Sequence, residues 1–179
     1  GIDFGLHFDH QQSTYDPIHR AHTDISRIAE YADFVKPILY HEIAPHRIAD
    51  YVIGRGGRYA FRDLDAQTHL RAFYEVLGLD PDAEPAVENL ERIPMTADYV
   101  RRSVERYQRG LGPGGRVVAG IGIDIPWRGE PVRSEPDQVY EATAAALEAG
   151  GEVMASREYE EMRLENLEAF GRAIRDSRR

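Results

Sequence analysis

Apolar and polar residues alternate strictly over positions 1–10, at the start of the chain. Every second side chain of an extended strand points to the same side, so the alternation separates an apolar side from a polar one. The apolar side consists of Ile2, Phe4, Leu6 and Phe8. The pattern predicts a β-strand that packs under helices, while His7 and Asp9 on its other side face a polar cavity.

The same division recurs in three later segments, over positions 34–40, 116–123 and 152–156. In each segment one side is apolar and the other is small or polar, so we expect four strands of one kind. Pro37 lies inside the second segment and removes an amide donor. It therefore predicts an edge position, a bulge or irregular pairing there.

Helical spacing of apolar residues fills the segments between these strands. A helix is predicted from Asp16-Pro17 to about Tyr31, and the later helices are predicted at 45–52, 63–77, 96–111, from 134 to about 149, and after 163. The glycines at 54–57 predict a break. Because residues from about 53 to 94 are too many for a simple connection, we interpret them as an insertion within one domain, 1–179.

Four strand-helix units in succession predict an α/β fold with a parallel sheet and right-handed crossovers. An open doubly wound sheet and the C-terminal four β/α units of a TIM barrel both fit this order. The barrel is favoured because doubly wound strands tend to be apolar on both sides, and no glycine-rich phosphate loop follows any strand.

A partial (β/α) barrel leaves two strand edges open. Since Gly1 already lies within a strand pattern, we expect a missing N-terminal half of the barrel upstream. A self-association partner that closes the ring is the alternative.

The composition and net charge of the chain exclude several classes of function. The 179 residues carry a net charge of −9, which argues against a nucleic-acid partner and against an anionic membrane surface. No apolar run approaches the roughly 20 residues that span a bilayer. Cys is absent, which removes disulfides and thiol catalysis. These features are typical of a soluble globular protein and leave its compartment open.

Each predicted strand ends in or near a carboxylate. These residues are Asp9, Glu42, Asp124 and Glu158. In barrels the active site lies at the C-terminal ends of the strands, and crowded carboxylates shift one another's pKa values. Paired carboxylates of this kind serve acid/base chemistry, although each of the four could instead cap a helix or pair with a cation. Lys36 on the inward side is expected to pair with one of these acids, or else to supply a Schiff-base amine.

Aromatic and basic side chains accompany the carboxylates. Trp127, the only Trp, follows the third strand, where its ring could stack on a sugar or close an apolar rim. The candidate hydroxyl-binding residues are His7, His10, Tyr40, His41, Arg157 and Glu158. Such a set of side chains is typical of a binding site for polyhydroxylated ligands.

A metal site is the alternative interpretation of the histidines. His7, Asp9, His10, His41 and Glu42 could together ligate a divalent ion, but they match no recognised ligand motif. We therefore expect neither a metal nor any other cofactor.

The chain resembles glycoside-hydrolase-type (β/α)8 barrels, including poorly characterised bacterial glycoside hydrolases. The segments that carry the resemblance are Ala-Asp-Phe-Val-Lys-Pro-Ile-Leu-Tyr-His-Glu (32–42), Val-Ala-Gly-Ile-Gly-Ile-Asp (118–124) and Glu-Val-Met-Ala-Ser-Arg (152–157). The resemblance implies hydrolysis of a glycosidic bond in a carbohydrate, with Asp124 as nucleophile or base and Asp9 or Glu42 as proton donor. A metal-dependent barrel isomerase or hydrolase, and a non-catalytic carbohydrate-binding barrel, are the alternatives.

Overall fold

The computed structural model describes residues 1–8, 23–156 and 159–179. Its strands are β1 (Gly5–Phe8), β2 (Phe34–Leu39), β3 (Val118–Gly122), β4 (Pro126–Trp127), β5 (Glu130–Pro131) and β6 (Glu152–Ser156). Its α-helices are α1 (Ala44–Ile48), α2 (Gly57–Tyr59), α3 (Ala66–Leu77), α4 (Ala97–Leu111), α5 (Pro136–Glu148) and α6 (Leu164–Asp176). Short 3-10 helices occupy Ile25–Glu30, Val87–Asn89 and Tyr159–Glu161, and a π-helix occupies Ala49–Gly56.

Four of the strands form one parallel sheet in the order β1-β2-β3-β6. The register aligns Leu6 with Val35, Leu39 with Ile121, and Ile121 with Ala155. The strands therefore lie side by side in the order in which the chain forms them. The fold is mixed α/β with a four-stranded parallel sheet and six α-helices in the described part of the chain, which confirms the predicted class.

The two faces of the sheet differ in what covers them. Val35, Leu39, Ala119 and Ile121 are fully buried in one hydrophobic core with side chains of α3, α4 and α5. On the opposite face, which we call the open face, His7 is exposed, Lys36 is half-buried and Met154 keeps 45% of its surface exposed. The helices thus bury one side of the sheet and leave the other partly uncovered.

Local sequence signals account for the ends of the main helices. Asp65 accepts a hydrogen bond from the backbone of Thr68 and so begins α3, while Gly78 ends it at φ 75°. Gly112, also at positive φ (76°), ends α4 with an extended ψ of −169°. Gly tolerates this conformation because it has no Cβ.

Three details differ from the sequence-based expectation. The helical path from α1 through the π-helix to α2 passes through Gly54 and Gly57, so the predicted break there is wrong. Strand β3 ends at Gly122 rather than at 123. Before β2, a 3-10 helix covers Ile25–Glu30, whereas the predicted helix start at 16–17 lies outside the described residues.

Pro37 lies in an interior strand, as the sheet order shows. The pairing of β2 with β3 consists of an isolated bridge at Val35 and a ladder that resumes at Ile38. The predicted irregular pairing at Pro37 is thereby confirmed, because the ladder is interrupted where the amide donor is absent.

No helix in the described ranges is long and apolar enough to cross a bilayer.

The glycine at position 122 gives a test of packing at the end of the sheet. A Cβ there would lie 2.8 Å from Cδ1 of Tyr40 and 2.9 Å from Cγ1 of Ile125. We expect Gly122→Ala to lower the free energy of unfolding by about 1–3 kcal/mol, because overpacking forces these side chains to move. Urea denaturation measures the change.

Gly57→Ala is the matched control. Gly57 has helical φ and ψ, and a Cβ there meets nothing closer than 3.8 Å. It should be neutral or slightly stabilising, since Ala favours helix. Equal destabilisation by both substitutions would contradict the packing shown at Gly122.

Candidate functional site

Glu42 and Asp124 lie just beyond the C-terminal ends of two neighbouring strands. Glu42 follows β2 and is 4% exposed, and Asp124 follows β3 and is 1% exposed. Asp124 has a φ of 53°, in the left-handed region that few non-glycine residues adopt. Its direction is therefore set by the turn after β3.

Ser134 joins the two carboxylates. Its hydroxyl donates to Oε1 of Glu42 at 2.5 Å and accepts from the amide of Asp124 at 2.9 Å. Its own amide donates to Oδ1 of Asp124 at 3.1 Å. A single buried serine thus couples two acids that are 82 positions apart in the sequence.

The carboxylate of Asp124 is held at the beginning of α6. Its Oδ2 accepts from the amide of Arg163 at 2.8 Å and from Nδ2 of Asn166 at 3.1 Å, and Nε of Arg163 lies 3.4 Å from its Oδ1. Burial acts to raise the pKa of Asp124, but the hydrogen bonds from Arg163, Asn166 and Ser134 outweigh it and the pKa is lowered. Asp124 is therefore ionised at neutral pH.

Glu42 has the opposite shift. Burial raises its pKa, and the neighbouring His41 and the hydroxyl of Ser134 only partly oppose this. Its Oε2 lies 3.4 Å from Nδ1 of His41 and is buried without a hydrogen bond from any described residue. Both ring nitrogens of His41 are likewise buried without a hydrogen-bond partner among those residues. Glu42 is thus the carboxyl group of the pair that favours holding a proton.

Two clefts border this network. The larger, of about 430 Å³, is lined by Asp124, Pro126, Arg133, Met162 and Arg163 among others. The smaller, of about 120 Å³, is lined by Glu42, His46, Glu91, Arg133 and Gln138 among others. Arg133 lines both clefts, so the coupled carboxyl groups lie between two clefts that are open to solvent.

A second polar group lies on the open face of the sheet. The hydroxyls of Tyr40 and Ser156 are 2.7 Å apart, and Nζ of Lys36 donates to the Ser156 hydroxyl at 3.3 Å. Burial lowers the pKa of Lys36. Within the described ranges Lys36 pairs with no acid, so the expected ion pair is not seen there.

Trp127 lies in the two-stranded hairpin of β4 and β5 and is half-buried. Its ring packs at the edge of an apolar cluster of Ile38, Tyr40, Ile43 and Ile125. The guanidinium carbons of Arg47 and Arg128 lie 6.0 and 5.5 Å from the ring centre. The aromatic ring therefore contacts cations as well as the apolar rim.

The sequence-based site is brought together only in part. Glu42 and Asp124 meet through Ser134, and His41 lies beside Glu42, whereas the hydroxyl of Tyr40 contacts Ser156. His7 pairs with Lys36 in the strand register. The other predicted site residues, Asp9, His10, Arg157 and Glu158, lie outside the described residues.

The alternative prediction is a metal site. In the described part of the chain, no group of three His, Asp or Glu residues is placed to hold an ion. Of the residues proposed for that site, His41 and Glu42 are adjacent to each other.

Sequence reasoning missed Ser134, Arg163 and Asn166. The sequence predicts a helix that begins at 134, but the capping box of α5 is formed by Glu135 and Gln138, which leaves Ser134 for the carboxylates. Asn166 is fully buried within α6. A polar residue on the apolar side of an amphipathic helix is the signal that could have identified it.

Ser134 is the residue whose loss most directly tests the network. Ser134→Ala leaves the amide of Asp124 and Oε1 of Glu42 without their buried partner. We expect the free energy of unfolding to fall by about 2 kcal/mol, the usual cost of an unsatisfied buried polar group. Thermal or urea denaturation checks this. Ser177→Ala on the exposed end of α6 is the control and should have almost no effect.

The opposed pKa shifts predict a pH dependence of stability. Because the folded pKa of Glu42 lies above its ordinary value of 4.5, its contribution is present below pH 4.5 and is lost as the pH rises through the folded pKa. Asp124 behaves oppositely, and its contribution is lost as the pH falls below 3.8 through its folded pKa.

Glu42→Gln should therefore flatten the decline in the free energy of unfolding above pH 4.5. Denaturation series across pH 4 to 8 measure the slope, and Glu148→Gln, at the exposed end of α5, should follow the wild type. Parallel profiles for the Glu42 variant and the wild type would contradict a raised pKa.

Comparison with known proteins found no family model, no curated protein and no solved structure that matches this chain.

Proposed function

We propose that this chain forms the catalytic half of a glycoside hydrolase in which Glu42 is the proton donor and Asp124 is the ionised partner. The observation that carries the proposal is the pair of buried carboxyl groups, joined through Ser134, whose pKa values are shifted in opposite directions. Such a division between a protonated and an ionised carboxyl is the requirement for cleaving a glycosidic bond.

Glu42 suits the acid because burial raises its pKa, so that it holds a proton more readily than Asp124 does. Its Oε2 accepts no hydrogen bond from the described residues, and Glu42 lines the smaller cleft, where a leaving-group oxygen would be placed. Asp124 suits the nucleophile or base because hydrogen bonds keep it charged. In this role it would act on a substrate bound in the larger cleft, which it lines.

The substrate in this proposal is a carbohydrate. His41 lies beside Glu42, and Tyr40 and Trp127 pack in one apolar cluster; these residues offer hydroxyl-binding atoms and an aromatic ring. His7, His10, Asp9, Arg157 and Glu158 are the further candidates for hydroxyl contacts or for proton transfer, as the resemblance implies. No cofactor enters this mechanism.

A partial (β/α) barrel is the architecture that we propose for this function. The strand order follows the chain order without a reversal, as in a barrel wall, whereas a doubly wound sheet has a switch point. Strands β1 and β6 are the two outer strands of this sheet. We propose that further strands, from an N-terminal half or from an associated copy, pair with these edges.

One observation favours the non-catalytic carbohydrate-binding alternative. The side chain of Asp124 is fully buried, and both of its oxygens accept hydrogen bonds from the protein. If the protein is such a binding protein, the role of the network is only to hold the loops that shape the clefts. The two functions differ in turnover, since a binding protein would bind a sugar without cleaving it.

The proton donor is tested with leaving groups of different basicity. A dinitrophenyl leaving group departs without protonation, whereas a methyl glycoside needs a general acid. We expect Glu42→Gln to cut kcat/KM for methyl glycosides by about a hundredfold or more, and to leave dinitrophenyl glycosides of the same sugar nearly unaffected. Hydrolysis rates over a panel of hexosides and hexuronides provide the measurement.

Asp124→Asn should lower the rate for both leaving groups, because it removes the charged partner itself. Glu148→Gln is the matched exposed control and should change neither rate. If Glu42→Gln slowed both leaving groups equally, Glu42 would not be the proton donor. Binding of a sugar by the wild type without any release of product would select the non-catalytic alternative.

A further inference from the structure

Lys36 is the only lysine in the chain, and the other 21 of its 22 basic Lys and Arg residues are arginines. It lies in the middle of β2, an interior strand, on the open face of the sheet. Its ammonium group is half-buried and donates to the hydroxyl of Ser156, a neutral partner. Within the described part of the chain no carboxylate neutralises this charge.

Arg47 supplies a second cation of the same kind. Its guanidinium carbon lies 5.6 Å from the ring centre of Tyr40 and 6.0 Å from that of Trp127. Its Nε and Nη1 atoms are buried and make no hydrogen bond to any described residue. Buried donors are nearly always satisfied in proteins, so two unused donors on one guanidinium require a partner beyond the described part of the chain.

Tyr40 connects these two cations. Its ring stacks with Arg47, and its hydroxyl lies 2.7 Å from the same Ser156 oxygen that Lys36 contacts. Gly120 leaves the room that this arrangement needs, since a Cβ there would lie 3.2 Å from Cε of Lys36. Tyr40 therefore contacts Arg47 through its ring and, through its hydroxyl, the serine that Lys36 also contacts, and no carboxylate among the described residues pairs with either cation.

We infer that Lys36, Arg47, Tyr40 and Ser156 form a binding site for the oxyanion group of a ligand, a carboxylate or a phosphate. An oxyanion accepts hydrogen bonds from an ammonium, from a guanidinium and from hydroxyls, which are the donors gathered here. It also neutralises the two charges that burial disfavours. Carbohydrates that carry a uronate or a phosphate are ligands of this class.

This site does not depend on the carboxyl pair. None of its four residues contributes a hydrogen bond to Glu42 or Asp124. We can therefore measure the loss of turnover in Glu42 variants separately from the loss of anion binding in Arg47 variants. The anion site can be present even in a protein that binds sugar without cleaving it.

The single lysine allows a direct measurement. Reductive methylation with isotope-labelled formaldehyde keeps the positive charge and gives Lys36 one NMR signal besides that of the N-terminal amine. Inorganic phosphate, glucuronate and chloride are titrated against the labelled protein at constant ionic strength. We expect a saturable shift of the Lys36 signal with phosphate or with glucuronate, and none with chloride.

Phosphate and glucuronate distinguish the two kinds of anionic group that a ligand could carry. Saturation by phosphate alone assigns a phosphorylated ligand, and saturation by glucuronate alone assigns a uronate. Arg47→Met should raise the dissociation constant at least tenfold, while Arg47→Lys, which keeps the charge but loses the planar donors, should raise it less. Arg109→Met, on the exposed side of α4, is the control and should leave binding unchanged.

Circular dichroism of each variant confirms that it is folded before binding is compared. The inference is overturned if the Lys36 signal responds to phosphate and glucuronate only as it does to chloride. It is equally overturned if Arg47→Met, folded as the wild type, binds the anion with unchanged affinity.

Discussion

The buried hydroxyl of Ser134 is the contact on which the end of this sheet depends. It links the segment after β2, the turn after β3 and the chain before α5, and the carboxylate of Asp124 extends the link to the beginning of α6. Because these polar groups are removed from water, each needs the others as partners. The network therefore fixes where the loops at the C-terminal ends of the strands begin, and so where both clefts lie.

The same contact gives two chemically identical groups different properties. Asp124 accepts hydrogen bonds from two backbone amides and an asparagine, which stabilise its charge. Glu42 accepts a hydrogen bond from the hydroxyl of Ser134, but its burial disfavours its charge more strongly. Their environments, rather than their chemistry, divide the roles of proton holder and charged partner between them. This division is the physical basis of the glycosidase proposal.

The open face has a different character. Here Lys36 of β2 and Arg47 of α1 bring positive charge to the sheet face that is partly uncovered, in a protein whose net charge is −9. Tyr40 of the basic group and Glu42 of the acidic network are two positions apart in the sequence. A carbohydrate with an anionic substituent would match both, with its glycosidic oxygen and its oxyanion recognised by separate sets of side chains.

The sequence alone determined the elements that have strong local signals. The alternation in the strands, the glycines that end α3 and α4, and the irregular pairing at Pro37 follow from side-chain periodicity and backbone sterics. The sequence also predicted that Glu42 and Asp124 come together, because strand ends of a parallel sheet lie at one edge. Only the tertiary structure decided that Ser134 joins them, that Asp124 turns toward α6, and that Arg47 lies over Tyr40. Those contacts join residues far apart in the chain, and no local pattern specifies which distant donor will satisfy a buried group.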